Sequence, residues 1–147
     1  MKAIELSGLE GFKSLRVADV EKPKPEANQI LLEVKAAGIN FAELELTWGK
    51  YPALRPLPYV LGFEAAGIIA EIGSHVENLK VGDKVTATVS SGGYAEYATA
   101  DVPELLNLIA QGRVKLFANT AFPLSEVKKA YEAFSSRHTI GKVVLTP

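Results

Sequence analysis

Gly62 and Gly67 have the spacing of the two glycines of a P-loop. Such a loop needs Lys and then Ser or Thr directly after the second glycine, to reach phosphate and metal. Ile68 and Ile69 stand there instead. The other common phosphate cradle, Gly-x-Gly-x-x-Gly between a strand and a helix, brings backbone close to a pyrophosphate at a helix N-terminus. No Gly-x-Gly occurs in this sequence. Among carboxylates, Glu43 and Glu45 are two residues apart and would point away from each other on a helix, so they read as solvated surface charge. Glu64 lies in the apolar stretch LGFEAAG, where burial would demand a hydrogen-bonding partner. Anchoring of a loop is the expected role for it, ahead of proton transfer. Ser90 and Ser91 have no neighbouring His to act as base, so a hydrolase triad is not supported. His75 belongs to a polar turn and His138 lies just past a helix end, where its cation would favour the helix dipole.

The composition narrows the partners and the compartment. With 147 residues, 48% of them apolar, the chain is long enough for one domain with a real core. Sixteen basic against 17 acidic residues give a net charge of -1, which offers no attraction to nucleic acid or an anionic membrane. There is no Cys and there are only two His, so thiolate or His-rich metal sites are not expected. No apolar run is long enough to span a bilayer, and MKAIELSGLEG does not resemble a signal peptide. The expected location is cytoplasmic.

The elements that must position these groups are mostly strands. Leu15 and Val17, then Ile30, Leu32 and Val34, alternate with polar neighbours as strand faces do. GIIAEI (67–72) and DKVTATV (83–89) add further β-branched runs. Glycines and prolines punctuate them, as in a barrel or sandwich. EKPKPEAN (21–28) and YPALRPLPYVL (51–61) are too rich in proline for central strands and read as loops. FAELELTW (41–48) has weak helical character. Asp101 and Glu104 have capping-box spacing, so Asp101 is expected to open a helix carrying Leu105, Leu106, Leu108 and Ile109 and ending at Gly112. A second helix is expected from about Pro123, with Val127, Ala130, Tyr131 and Phe134 as its core stripe. A short strand, KVVL (142–145), follows. The expected fold class is mainly β with peripheral helices (α+β), in one domain.

Taken together, AAGIN (36–40), GFEAAGIIAEIG (62–73), VGDKV (81–85) and GGYAEYA (92–98) resemble the catalytic domain of medium-chain dehydrogenase/reductases. The branch they resemble is that of the zinc-independent quinone oxidoreductases. LLNLIAQG (105–112), FPLSEVKKAYEA (122–133) and SRHTIGKVVL (136–145) resemble that family's closing stretch. The resemblance covers nearly the whole chain and implies a GroES-like β-barrel. Zinc-dependent members carry Cys at the position of Asn40 and His at that of Phe63, and both ligand types are lost here. The resemblance implies that Asn40 lies near the nicotinamide end of NADPH and near substrate, and that Tyr51 lines the substrate cleft. It also implies that Lys142, and less directly Arg137, face the cofactor phosphates. The residues by themselves leave alternatives open: a turn position for Asn40, loop packing for Tyr51, and ordinary surface charge for Lys142 and Arg137.

The family also inserts a nucleotide-binding domain that these 147 residues skip. The resemblance places its excision between Ala100 and Asp101, dividing the domain into residues 1–100 and a closing segment, 101–147. The deletion is equally compatible with a natural or a designed origin. The family activity implied is hydride transfer from NADPH to a quinone or enone. With the pyrophosphate site missing, this chain is expected to be inactive or nearly so and to bind no cofactor of its own. The alternative is a self-associating binding module, a homo-oligomer such as a dimer formed through the freed interdomain face.

Overall fold

In the computed structural model, which describes residues 1–52, 55–102, 118–136, 138, 139 and 141–147, the chain folds into two sheets with helices at their margins. The smaller sheet has the order β2-β1-β4 and is formed by β1 (Lys2–Leu6), β2 (Leu15–Asp19) and β4 (Tyr59–Val60). The larger sheet is built on β3 (Gln29–Gly38). β5 (Glu64–Ile72) pairs along one edge of β3, and β6 (Lys84–Thr88) pairs outside β5. The other edge of β3 is shared: β7 (Tyr97–Asp101) takes residues 29–33, and β9 (Lys142–Thr146) takes Ala37 and Gly38. β8 (Ala118–Pro123) runs parallel to β9, whereas the other ladders are antiparallel.

β3 is paired on both edges and buries one face along its length, while Lys35 on the other face stays exposed and Glu33 half-exposed. Ile30, Leu32 and Val34 go to the main core as their alternation predicts, and Leu31 between them is buried as well. The two sheets are not closed into one barrel. Among the described residues they are joined at the isolated bridge Ala3–Ala95, with Ile4 N–H donating to the Tyr94 carbonyl at 2.8 Å. On β2, Arg16 and Val17 stay exposed at the rim, the kind of charged edge that discourages further pairing.

Helix α1 (Phe41–Thr47) and helix α2 (Val127–Ser135) lie where the sequence puts them. On α2, Val127, Ala130 and Tyr131 are buried, and the Tyr131 ring stacks on Phe12 at 6.1 Å between centroids. Asp101 is the last residue of β7, opposite Gln29, and its carboxylate accepts from Gln29 Nε2 at 3.1 Å. The helix expected to open at Asp101, with Glu104, the Leu105–Ile109 stripe and Gly112, lies outside the described residues. Among the described residues of the proline-rich stretch 51–61, Tyr59 and Val60 add a short edge to β1 and the rest are loop.

Candidate functional site

The site is built where the end of β3, the start of α1, the start of β5 and the start of β9 converge. β3 runs out at Gly38, Ile39 is buried, and Asn40 takes an extended backbone as the N-cap of α1. Three residues on, the Glu43 carboxylate turns back and accepts from the Asn40 backbone N–H at 3.0 Å, the reciprocal half of a capping box. It also accepts from Asn40 Nδ2 at 3.3 Å and from the Phe63 backbone N–H at 3.0 Å. Glu43 is completely buried. Desolvation pushes its carboxyl above the ordinary glutamate range, and the N–H donors from Phe63 and Asn40 pull only partly against that. The expectation of a solvated Glu43 is therefore corrected: its partner is not Glu45 but the N-cap before it and a strand 20 residues away.

Lys142 closes the other side. Its Nζ donates to Asn40 Oδ1 at 2.6 Å and lies 3.0 Å from Glu64 Oε1. The two side chains of that ion pair are about 40% exposed, Lys142 at 36% and Glu64 at 42%, so the pair opens to solvent while Glu43 does not. Glu64 has the partner that its apolar setting demanded. Gly38 makes the arrangement possible: a Cβ there would collide with the Glu64 carboxylate and with Lys142 Cε. Gly62, just before Phe63, has φ +104, and a Cβ on it would come 2.5 Å from the Tyr94 backbone nitrogen. That backbone requirement accounts for one of the two P-loop-spaced glycines. Gly67 leaves room for the neighbouring Glu33 carbonyl of β3.

Behind Glu43 lies a pair of buried phenols. Tyr94 Oη sits 3.5 Å from Tyr131 Oη and 3.4 Å from the Gly38 carbonyl. Burial raises both hydroxyls well above the ordinary tyrosine range, so both remain neutral donors. In front, the half-buried Tyr51 ring lies 6.2 Å from the Phe63 ring and tilted to it by 43°. The structure thus brings Asn40 and Lys142 into direct contact and places Tyr51 against Phe63, whose backbone the same Glu43 holds. Arg137 lies outside the described residues. His75 and His138 are exposed, and Ser91 Oγ accepts from Arg55 at 3.1 Å. Among the described residues no cluster of three or more His, Cys, Asp or Glu could hold a metal, and no helix is long and apolar enough to cross a membrane.

Glu43 is the residue that local spacing hid. The signal available was N-x-x-E (40–43) ahead of an apolar run, an N-cap with an acid at the third position.

A β-rich domain with its polar cluster beneath one short helix matches a known family. Residues 26–110 match the alcohol dehydrogenase GroES-like domain, and the chain belongs to that family. Its relatives include quinone oxidoreductases of the medium-chain dehydrogenase/reductase superfamily. A quinone oxidoreductase of Lama guanicoe is 41% identical over 102 residues, 68% of this chain but 31% of that protein. The chain therefore spans about a third of the length of the curated relatives it matches. The Escherichia coli quinone oxidoreductase, solved in complex with NADPH, superposes with a TM-score of 0.64 at 26% identity, over 84% of this chain and 44% of that one. A thermostable alcohol dehydrogenase from Pyrobaculum aerophilum superposes with a TM-score of 0.83 over 100% of this chain and 99% of that one. At 16% identity this is a likeness of fold.

Proposed function

We propose that this chain is the substrate-side domain of a quinone oxidoreductase-like, zinc-independent reductase. In this reading it orients a quinone or enone and the nicotinamide end of NADPH, but holds little of the cofactor by itself. The observation that carries the reading is the contact of Asn40 with Lys142, tied through Glu43 to the backbone of Phe63, whose ring meets Tyr51. An amide and an ammonium linked in this way to two aromatic rings suit a flat, apolar ligand with carbonyl oxygens at its edge. The positions of Asn40 and Phe63 lack the thiolate and imidazole ligands of the zinc-dependent relatives. The residues fit the nicotinamide end of the cofactor: Asn40 retains one amide N–H, and Lys142 brings a cation to the same edge. When bound, the nicotinamide supplies the hydride. The pyrophosphate end finds no Gly-x-Gly in these 147 residues. The reading accordingly places the family's nucleotide-binding domain at the Ala100–Asp101 junction, within the last residues of β7, and expects little or no turnover from this chain.

The test is a titration of the isotopically labelled chain with menadione and, separately, with NADPH. Menadione should shift the resonances of Asn40, Tyr51 and Phe63 and leave the β1–β2 rim unmoved. No perturbation at those residues at saturating menadione would sink the substrate-side reading. Micromolar binding of NADPH, or its steady oxidation by the chain and menadione, would overturn the expectation of inactivity.

A second reading is favoured by the outer face of α1, where Phe41 is 55% and Trp48 50% exposed. Seven residues apart, they share one side of the helix, and a second copy of this chain is the occupant considered. Sedimentation across a range of concentrations decides it, since a strict monomer at high concentration removes this reading.

A further inference from the structure

We infer that Glu43 is a positioning residue that fixes which way the Asn40 amide faces. It thereby gives the site a hydrogen-bond donor aimed at an acceptor oxygen of a bound carbonyl or carboxamide. The inference deepens the proposed function and rests on it for the identity of the ligand, though not for the lock itself.

The argument is one of donor and acceptor inventory. A carboxylate only accepts and an ammonium only donates, whereas an amide does one at each end. Asn40 stands between a buried carboxylate, Glu43, and an ammonium, Lys142. Its Nδ2 must therefore face Glu43 and its Oδ1 must face Lys142, and the flipped amide would set like against like at both ends. Glu43 Oε1 takes one Nδ2 proton and the Phe63 N–H, and Oε2 takes the Asn40 backbone N–H. Among the described residues Nδ2 makes no other hydrogen bond, so its second N–H is free. Asn40 itself is half-buried, which leaves that proton available to a ligand. The same carboxylate fixes the backbone of Phe63, whose ring meets Tyr51. One buried acid thus holds the amide and one aromatic wall in a single register. Burial raises its carboxyl, and the N–H donors that converge on it partly offset that rise.

The experiment follows the Asn40 side-chain amide and the Lys142 ammonium by NMR in the whole chain. Without ligand, raising the pH through the Glu43 titration should move Asn40 Nδ2 and the Phe63 amide with the same midpoint as the Glu43 carboxyl carbon. Glu43→Gln offers one acceptor oxygen in place of two, so the Asn40 amide resonances should shift and the Lys142 ammonium resonance should move with them. Lys142→Met should leave the Nδ2 resonances close to wild type, because Glu43 alone holds that end. The lock is overturned if Asn40 Nδ2 ignores the Glu43 titration, or if Lys142→Met displaces it as far as Glu43→Gln does. The titration arm uses the unsubstituted protein, so the inference stays testable even if Glu43→Gln fails to fold. Added menadione should then shift Asn40 in the wild type and not in Glu43→Gln. If menadione shifts Asn40 in neither protein while the ligand-free coupling holds, the proposed function fails and the lock stands.

Discussion

The cluster beneath α1 and the rim of the small sheet use the same residue types and get different results from them. At the rim, Lys2 meets Asp19 at 2.6 Å and Arg16 meets Glu5 at 3.0 Å. Lys2 beside Asp19 holds that carboxyl below its ordinary range through a direct hydrogen bond and charge. Yet Lys2 and Asp19 are 56% and 73% exposed, and water and salt screen what they gain. Beneath α1, Glu43 has no cation in direct contact among the described residues. It is held by amide N–H groups with no solvent access, where an unmade hydrogen bond costs far more than a surface ion pair gains. Proximity of opposite charges is therefore a poor guide to which carboxylate matters in this fold; burial and the number of converging donors are better.

The comparison breaks most sharply at Glu43. Glu43→Ala leaves buried N–H groups of Asn40 and Phe63 without an acceptor and removes the reciprocal cap of α1. It should destabilise the chain by about 3 kcal/mol, read from urea unfolding midpoints. A loss no larger than that of a rim variant would mean that the cluster is as soft as the surface. Gly38→Ala comes next. Its Cβ must displace the Glu64–Lys142 pair or the end of β3, an overpacking expected to cost about 2 kcal/mol and to disturb Lys142 resonances before those of Glu43.

Acidity gives a third test, with opposite signs in the two regions. Burial raises the Glu43 carboxyl in the folded chain, so the fold favours the protonated acid relative to the unfolded chain. Its contribution to stability is complete below the ordinary glutamate range and declines as pH climbs through the raised folded value. Asp19 is lowered by Lys2, so its contribution is present above the ordinary aspartate range and fades as pH falls through the lowered value. The stability difference between wild type and Glu43→Gln should therefore move against the wild type as pH rises from the ordinary glutamate range toward neutrality. A difference flat across that window would show that the N–H donors fully offset desolvation.

What could be read from the sequence divides along the same line. Elements carried by a local period were legible: Ile30, Leu32 and Val34 on β3, and Val127, Ala130 and Tyr131 on α2. Residues whose role depends on a distant partner were not. Local spacing read Glu43, like Glu45, as solvated surface charge, whereas its third donor comes from Phe63, 20 residues on. Asp101 pairs with Gln29, 72 positions away, and no local signal pointed to that partner. β8 has the run ANTAFP, without β-branched alternation, and is a strand because β9 lies beside it. Lys142 and Asn40 are 102 positions apart, and only the family resemblance put both at one ligand, while no spacing rule placed them in contact.

The smallest expected effects separate the half-open pair from the open one. Lys142→Met removes an ion pair whose side chains are about 40% exposed and leaves Glu64 able to turn to solvent. Discounted for that screening, the loss should be about 1 kcal/mol or less. Asn40 Oδ1 loses its Lys142 donor, so the change should concentrate at Asn40 rather than spread through β9. Asp19→Asn at the rim should lower the unfolding midpoint only slightly at neutral pH, and that small difference should close as pH falls through the lowered Asp19 value. The informative quantity is the coupling of each pair to Glu43. If Lys142→Met and Glu43→Gln act through the shared Asn40 amide, their combined effect must differ from the sum of the two. Asp19→Asn and Glu43→Gln share no partner and should add. Additivity in both cycles would reduce the cluster to independent contacts and remove the reason for treating Asn40 as a held donor.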